Sequence, residues 1–153
     1  MERKICIITG TRADWGLLSS IARELVSRDG IKLQIIATNM HLSEKFGNTY
    51  KEIEHDGFHI DFRVPMPVDN DSPALTVSAM ATCMKGMSAA LETLSPDLIL
   101  ILGDRYEMLV AASAALIFRI PVAHIAGGAV SFGAFDESIR HSITKMSHLH
   151  FTE

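Results

Sequence analysis

The chain has 153 residues, of which 48% are hydrophobic and 21% charged, and this is the size and composition of one globular domain rather than of a disordered chain. Its formal net charge of −4 gives no overall attraction to nucleic acid or to an anionic membrane surface. No apolar run approaches the roughly 18 residues that span a bilayer, and the widely separated Cys6 and Cys83 suit buried thiols better than a disulfide or a zinc site. We therefore expect a cytoplasmic protein that binds no nucleic acid, membrane or metal.

Six short runs rich in leucine and β-branched residues predict strands. They are Lys4–Thr9, Lys32–Ala37, Phe58–Phe62, Asp97–Leu102, Pro121–Ile125 and His148–Phe151. Most of them lack strict polar–apolar alternation, which is typical of strands that are buried on both faces of a parallel sheet.

Helical periodicity fills the gaps between these strands. It predicts an apolar helix stripe from 17 to 26 that ends at Asp29-Gly30, and helices at Leu75–Leu94, Tyr106–Phe118 and Asp136–Met146. The segment 64–73 contains three prolines and is expected to form a loop. The alternation predicts an α/β fold, a doubly wound, Rossmann-like parallel sheet with right-handed crossovers. Because the chain stops directly after the sixth strand, we expect one half of a two-domain protein.

Ligands of such sheets bind beyond the carboxyl ends of the strands, and this rule selects the loops at 10–16, 39–43, 103–105 and 126–137. The first loop, TGTRADWG, is neither a dinucleotide fingerprint nor a P-loop, because its glycines are differently spaced and no Gly-Lys-Ser/Thr follows. A helix N-terminus beside Arg12 suits a phosphate or diphosphate. The alternative is that Asp14 caps this helix and that Arg12 is solvated.

Charged residues follow the fourth and fifth strands at the same edge. Asp104 could act as a base or orient one, or it could pair with Arg105 or cap the next helix. Asp136 and Glu137 open the last helix, where the helix dipole favours acidic residues whether or not they act on a ligand. The histidines have no spacing that is typical of a metal site, and we expect His124, His148 and His150 to be structural or exposed.

Four segments in this order resemble the hydrolysing UDP-N-acetylglucosamine 2-epimerases of the sialic acid pathway. They are GTRADWGLL at 10–18, NMHLSEKFGNTYKEIEHDGF at 39–58, SPDLILILGDRYE at 95–107 and GAFDESIRHSITKMSHLHF at 133–151. The resemblance covers nearly the whole chain. It implies the N-terminal half of a glycosyltransferase-B-like fold, with strand order 3-2-1-4-5-6 and an active site between two halves. It also implies a homodimer, for which the Ala- and Met-rich helix Leu75–Leu94 is the candidate.

The resemblance implies conversion of UDP-N-acetylglucosamine and water to N-acetylmannosamine and UDP, without a cofactor. A base removes the C2 proton, UDP leaves C1, and water adds to the resulting glycal. Asp104 and Asp136 would be the acid and base carboxylates. Arg12 would contact the diphosphate, and His41 would line the sugar side of the cleft. The full set of residues that would contact the UDP-sugar is Gly10, Thr11, Arg12, His41, Arg105, Gly127, Gly128, Glu137 and Arg140.

The chain departs from the family pattern at Ala126 and Ala129, where related enzymes usually carry a glutamate at one position or the other. A methyl group cannot transfer a proton, so either the remaining carboxylates suffice or this protein is impaired. Three alternatives stay open: a UDP-diacetylbacillosamine 2-epimerase; a non-hydrolysing epimerase, against which the stretch GAFDESIRHSITK argues; and a non-catalytic domain that binds a sugar nucleotide, which the two alanines favour. We expect the 153-residue chain alone to be inactive, because the second half of the cleft is missing.

Overall fold

Six strands form one sheet within residues 2–67, 72–130 and 135–152, which are the residues that the computed structural model describes. The strands are β1 (Arg3–Thr9), β2 (Ile31–Thr38), β3 (Phe62–Val64), β4 (Leu98–Leu102), β5 (Val122–Ile125) and β6 (Leu149–Phe151). They lie in the order β3-β2-β1-β4-β5-β6, and each neighbouring pair is parallel. The predicted doubly wound sheet and its strand order are confirmed.

Helices cover both faces of this sheet. They are α1 (Arg12–Val26), α2 (Tyr50–His55), α3 (Pro73–Leu94), α4 (Tyr106–Phe118) and α5 (Asp136–Met146). Successive residues of β1 serve two separate cores: Ile7 packs with Trp15 and Leu18 of α1, whereas Cys6 and Ile8 pack with residues of α3, α4 and α5. Both faces of the strand are apolar because both are covered, which explains the missing alternation.

The third strand lies further along the chain than predicted, at Phe62–Val64 instead of Phe58–Phe62. Just before it, the Asp61 carboxylate accepts a hydrogen bond of 2.8 Å from the backbone N–H of Ile35. A side chain therefore occupies the bonding position that the backbone of a longer β3 would need. Val64, which we expected in the proline-rich loop, is the last residue of the strand, and residues 68–71 of that loop lie outside the described residues.

Short helical segments between β2 and β3 escaped prediction. Two 3₁₀ turns, Asn39–Leu42 and Glu44–Phe46, precede α2, and all three are too short for a periodic apolar pattern to show. The two 3₁₀ turns place residues 39–46 directly beyond the carboxyl end of β2, where a ligand is expected.

Helix α1 also differs from its prediction, because it ends at Val26 rather than at the predicted Asp29-Gly30 turn.

Helix α3 is longer and more apolar than the sequence analysis allowed. It has 22 residues, and an 18-residue stretch of it has a mean hydropathy of 1.2, which by length and composition is enough to cross a membrane; this corrects the expectation that no segment approaches that length. In this fold, however, Ala79, Cys83 and Met87 on its inner side are buried in the core next to β3 and α4. Such a pattern is that of a core helix with one solvent-facing side.

Candidate functional site

The loops that follow β1, β2 and β4 contact one another at one edge of the sheet. The backbone N–H of His41 donates to the carbonyl oxygen of Gly10 at 3.1 Å. The Arg105 guanidinium lies 3.8 Å from the sulfur of Met40. This edge is the one that the topology rule selects for ligands, so the predicted loops do meet there.

The first loop leads into α1 through a side-chain cap. Thr11 is the N-cap, and its hydroxyl accepts from the backbone N–H of Asp14 at 3.2 Å, so the cap is Thr11 and not Asp14. Arg12 is the first residue of the helix, and its side chain is 75% exposed, 3.0 Å from a carboxylate oxygen of Glu52. An exposed ion pair of this kind contributes at most about 1 kcal/mol, so Arg12 can exchange Glu52 for an anionic ligand.

His41 lies behind this edge rather than on it. The side chain is fully buried, with Nε2 3.0 Å from the Thr9 hydroxyl and Nδ1 2.8 Å from the Thr49 hydroxyl. Burial lowers the pKa of the imidazole to about 4, so the ring is neutral at pH 7. We expected His41 to line the sugar side of the cleft; in the structure its ring joins the end of β1, at Thr9, to the start of α2, at Thr49, and its backbone N–H holds Gly10.

Asp104 pairs with Arg140, across 36 residues of sequence. Both side chains are mostly buried, and Arg140 also donates to the backbone carbonyl of Ala129 at 2.8 Å. Of the alternatives left open for Asp104, pairing with Arg105 is not what the structure shows, because Arg105 pairs with Glu107 instead. Arg140 thus connects the loop after β4 to the glycine loop after β5.

A cavity of about 300 Å³ lies at this edge, and both carboxylates that the resemblance implies as catalytic line it. The lining residues are Asp104, Arg105, Tyr106, Phe135 and Asp136. The rings of Tyr106 and Phe135 stack with their centroids 5.9 Å apart. Glu137 faces along its own helix instead, with its carboxylate 3.4 Å from His141.

A second cavity, of about 830 Å³, lies at the opposite edge of the sheet. It is lined by residues at the amino ends of the strands, among them Lys4, Asp97 and Pro121. None of the residues predicted from the sequence to contact a ligand lines it. We place the site at the smaller cavity, because that one combines two carboxylates with the carboxyl edge of the sheet.

The glycine loop after β5 is held close to a buried histidine. A Cβ atom on Gly127 would lie 2.6 Å from Nδ1 of His124, so only glycine fits there. His124 is fully buried, with Nε2 2.7 Å from the carbonyl oxygen of Gly103 and Nδ1 3.2 Å from the Thr144 hydroxyl. Burial lowers its pKa, and its role is structural, as expected. Gly128 has a φ of +78°, a conformation that favours glycine.

Glu107 is a residue that the sequence analysis missed. It is the second residue of α4, and its side chain is fully buried, with Oε1 2.8 Å from the Arg105 Nε. An acidic residue in the first turn of a helix is ordinarily a solvated partner of the helix dipole. Its place three residues after Asp104, inside the segment LGDRYE, puts it near the ligand edge but does not indicate that it is buried.

The family profile described as UDP-N-acetylglucosamine 2-epimerase matches residues 23–153. The chain is also 49% identical, over 98% of its length, to a Campylobacter jejuni protein named GDP/UDP-N,N'-diacetylbacillosamine 2-epimerase (hydrolyzing). The chain belongs to the UDP-N-acetylglucosamine 2-epimerase family. It is 43% identical to the UDP-N,N'-diacetylbacillosamine 2-epimerase (hydrolyzing) of Legionella pneumophila and 35% identical to the UDP-N-acetylglucosamine 2-epimerase of Neisseria meningitidis, over 99% and 98% of its length. It spans about two-fifths of these relatives: 39%, 40% and 38% of their respective lengths.

Solved structures of the family show the same architecture. A crystal structure of the Neisseria meningitidis UDP-GlcNAc 2-epimerase bound to UDP-GlcNAc superposes with a TM-score of 0.81, at 22% identity, over 97% of this chain and 40% of that one. The Methanocaldococcus jannaschii enzyme in complex with UDP-GlcNAc and UDP gives a TM-score of 0.77 at 26% identity, over 94% of this chain and 38% of that one. The sheet is thus Rossmann-like, of the kind found in glycosyltransferase-B-like folds.

Proposed function

We propose that this chain forms the N-terminal wall of the active-site cleft of a hydrolysing 2-epimerase that acts on a UDP-linked 2-acetamido sugar. The observation that carries the proposal is that Asp104 and Asp136 line one cavity at the ligand edge of the sheet. Two carboxylates in one cavity suit a reaction that takes a proton from a carbon atom and later returns one to it. The family and the relatives named as hydrolysing enzymes support the reaction class.

The reaction proceeds by elimination and then hydration. One carboxylate takes the proton from C2 while the bond between C1 and the UDP oxygen breaks, so that a C1–C2 double bond forms and UDP leaves with the electron pair. Water then adds its hydroxyl to C1, and a proton is returned to C2 on the opposite face, which gives the free 2-epimer. The C2 proton is weakly acidic, so both a positioned base and a stabilised leaving group are needed.

The other residues of the edge serve these two needs. Arg140 orients Asp104 through their ion pair. Arg12, at the exposed N-terminus of α1, is placed to attract the diphosphate of the leaving UDP. A second half of the cleft, a dimer and a cytoplasmic location belong to the same proposal.

The sugar is proposed to be N,N'-diacetylbacillosamine, with N-acetylglucosamine as the second candidate. The relatives named for the diacetylated sugar are 49% and 43% identical to this chain, and the relative named for N-acetylglucosamine is 35% identical. Supplying both UDP-sugars to one preparation and comparing the released free sugars by mass spectrometry decides between them. Release of a UDP-linked epimer instead of a free sugar would contradict the hydrolysing reaction.

Position 129 supplies the sharpest test of whether the site is active. The carbonyl oxygen of Ala129 accepts a hydrogen bond from the guanidinium of Arg140, which also pairs with Asp104. A glutamate at position 129 would therefore place its carboxylate on the loop beside the Asp104–Arg140 pair. We would join the chain to the part of the Campylobacter jejuni relative that the match leaves out, and compare it with its Ala129→Glu variant. UDP release that rises at least about 10²-fold with the glutamate, in line with the usual contribution of an acid–base group, supports an impaired enzyme.

Controls separate chemistry from folding in this experiment. Asp104→Asn should abolish UDP release in both proteins, whereas Glu54→Gln, which alters an exposed ion pair with Arg63, should leave it unchanged. If both joined proteins bind UDP-sugars but release no UDP, the chain is a sugar-nucleotide-binding domain, and the catalytic proposal is wrong.

A further inference from the structure

Glu107 is a fully buried carboxylate to which the proposed reaction gives no role. Burying a carboxylate is costly unless it is paired and fully hydrogen-bonded. Its partner is Arg105, whose Nε donates to Oε1 at 2.8 Å. Burial works to lower the pKa of Arg105, but the charge and the hydrogen bond of Glu107, together with the charges of Asp14 and Tyr106, outweigh burial and raise that pKa. The two groups thus form a salt bridge between Nε of Arg105 and Oε1 of Glu107.

Stability alone does not explain this pair. Within the described residues, Oε2 of Glu107 is buried without a hydrogen-bond partner, and so is Oδ2 of Asp14. Burial, together with the negative charge of Glu107, raises the pKa of Asp14. A glutamine at position 107 would still accept from Arg105 and would carry one negative charge less beside Asp14. The native carboxylate is thus the less stable choice at this position.

The pair also touches the ligand edge. A Cβ atom on Gly10 would lie 2.9 Å from Cδ of Glu107, so the carboxylate packs directly on the backbone of the first loop. On its other side, Arg105 lines the cavity together with Asp104 and Asp136. Glu107 therefore lies behind a guanidinium that is itself part of the cavity wall.

We propose that Glu107 is a positioning residue, which holds Arg105 in the cavity wall so that the other N–H groups of the guanidinium bind a phosphate oxygen of the UDP leaving group. This inference rests on the proposed function, because it takes a UDP-sugar as the ligand. Glu107 itself touches no substrate. Its charge and its bond to Nε fix the direction of the guanidinium, and buried charge at a functional site is ordinarily retained at a cost in stability.

The test measures stability and UDP binding separately, on the 153-residue chain. Glu107→Gln is expected to unfold at the same temperature as the parent or at a higher one, yet to bind UDP about fivefold to tenfold more weakly, since one charge-assisted hydrogen bond is disturbed. Asp14→Asn is the matched control: it removes the neighbouring like charge and leaves the Glu107–Arg105 bond in place, so it should raise the unfolding temperature and bind UDP no more weakly than the parent.

Two further measurements show whether Glu107 acts through Arg105. In the double variant with Arg105→Ala, the Glu107→Gln change should weaken UDP binding no further. The Nε–H signal of Arg105 in ¹⁵N NMR spectra should shift in Glu107→Gln and stay in place in Asp14→Asn.

Three results would overturn the inference: a parent chain that binds no UDP, a Glu107→Gln variant that binds UDP as the parent does, or a loss of binding that is accompanied by a lower unfolding temperature. None of these results bears on the proposed reaction, which is tested separately by the release of free sugar from the joined protein. Failure of the Glu107 inference and failure of the proposed function can therefore be told apart.

Discussion

His41 joins three segments of the chain at the residue scale. Its ring nitrogens are bonded to the hydroxyls of Thr9 and Thr49, and its backbone N–H donates to Gly10. Because burial lowers its pKa to about 4, the folded protein resists protonation of a group that the unfolded chain protonates readily. This difference makes the stability of the fold depend on pH.

The sign of this dependence follows from the two pKa values. Above the ordinary value of 6.5, His41 is neutral in both states. As the pH falls toward about 4 the unfolded chain binds the proton first, so we expect His41 to lower the free energy of unfolding by about 2 kcal/mol between about pH 7.5 and pH 5. Urea unfolding at both pH values measures this difference in the free energy of unfolding. The difference should become smaller by this amount in His41→Gln and stay unchanged in His59→Gln, where the histidine is exposed. The same difference in all three proteins would contradict the assignment to His41.

Asp104 and His41 show which part of the site could be predicted from sequence. Both follow a buried strand, and a parallel sheet fixes the edge at which such residues lie, so both were expected at that edge. The direction of the side chains was not predictable, because it depends on Arg140 and Thr49, which no local pattern marks. Glu107 was missed for the same reason, since its burial comes from Gly10, 97 positions earlier.

At the scale of elements, the sequence pattern gave the type of each long element and failed for the short ones. Helix α4 has the predicted bounds, Tyr106–Phe118, because its thirteen alanine-rich residues favour a helix throughout. Strand β3, with three residues, is defined by its contacts instead. One of these is with α3, where a Cβ atom on Gly86 would lie 2.7 Å from Cγ1 of Val64.

This contact predicts opposite effects for two glycine-to-alanine changes within helices. Gly86→Ala should lower the free energy of unfolding by about 1–3 kcal/mol, because the added methyl group overpacks the core against Val64. Gly16→Ala in α1 has open space around it and should raise the free energy of unfolding by about 0.5–1 kcal/mol. Urea denaturation measures both. If Val64→Ala fails to recover stability in the Gly86→Ala background, the clash is not the cause.

At the scale of the whole molecule, α3 presents an apolar outer side to solvent. Its exposed residues include Leu75, Val77 and Met84, and the resemblance implies a homodimer through this helix, which stays a prediction. Multi-angle light scattering should give twice the mass of 16.8 kDa at micromolar concentration. Val77→Lys should reduce it to the monomer mass, while Ile117→Lys, on the equally exposed end of α4, should not. A monomeric parent would contradict this prediction.

The separate chain is expected to show no measurable turnover. A cleft enzyme gains its rate by holding the reactants between two walls and excluding water, and this chain spans about two-fifths of the relatives that it matches. An assay of UDP release by the 153-residue chain, with Asp104→Asn alongside, measures this. Release within about tenfold of a full-length relative, abolished by the substitution, would show that one wall suffices.

The most direct test of the account follows the proton at C2. The joined protein with Ala129→Glu is supplied with UDP-sugar in D₂O, and the released free sugar is analysed by mass spectrometry. Elimination and hydration through Asp104 and Asp136 predict one deuterium at C2 of the 2-epimer, and no product when either aspartate is replaced by asparagine. A free 2-epimer without deuterium at C2, or labelled product that persists in Asp104→Asn and Asp136→Asn, would contradict it.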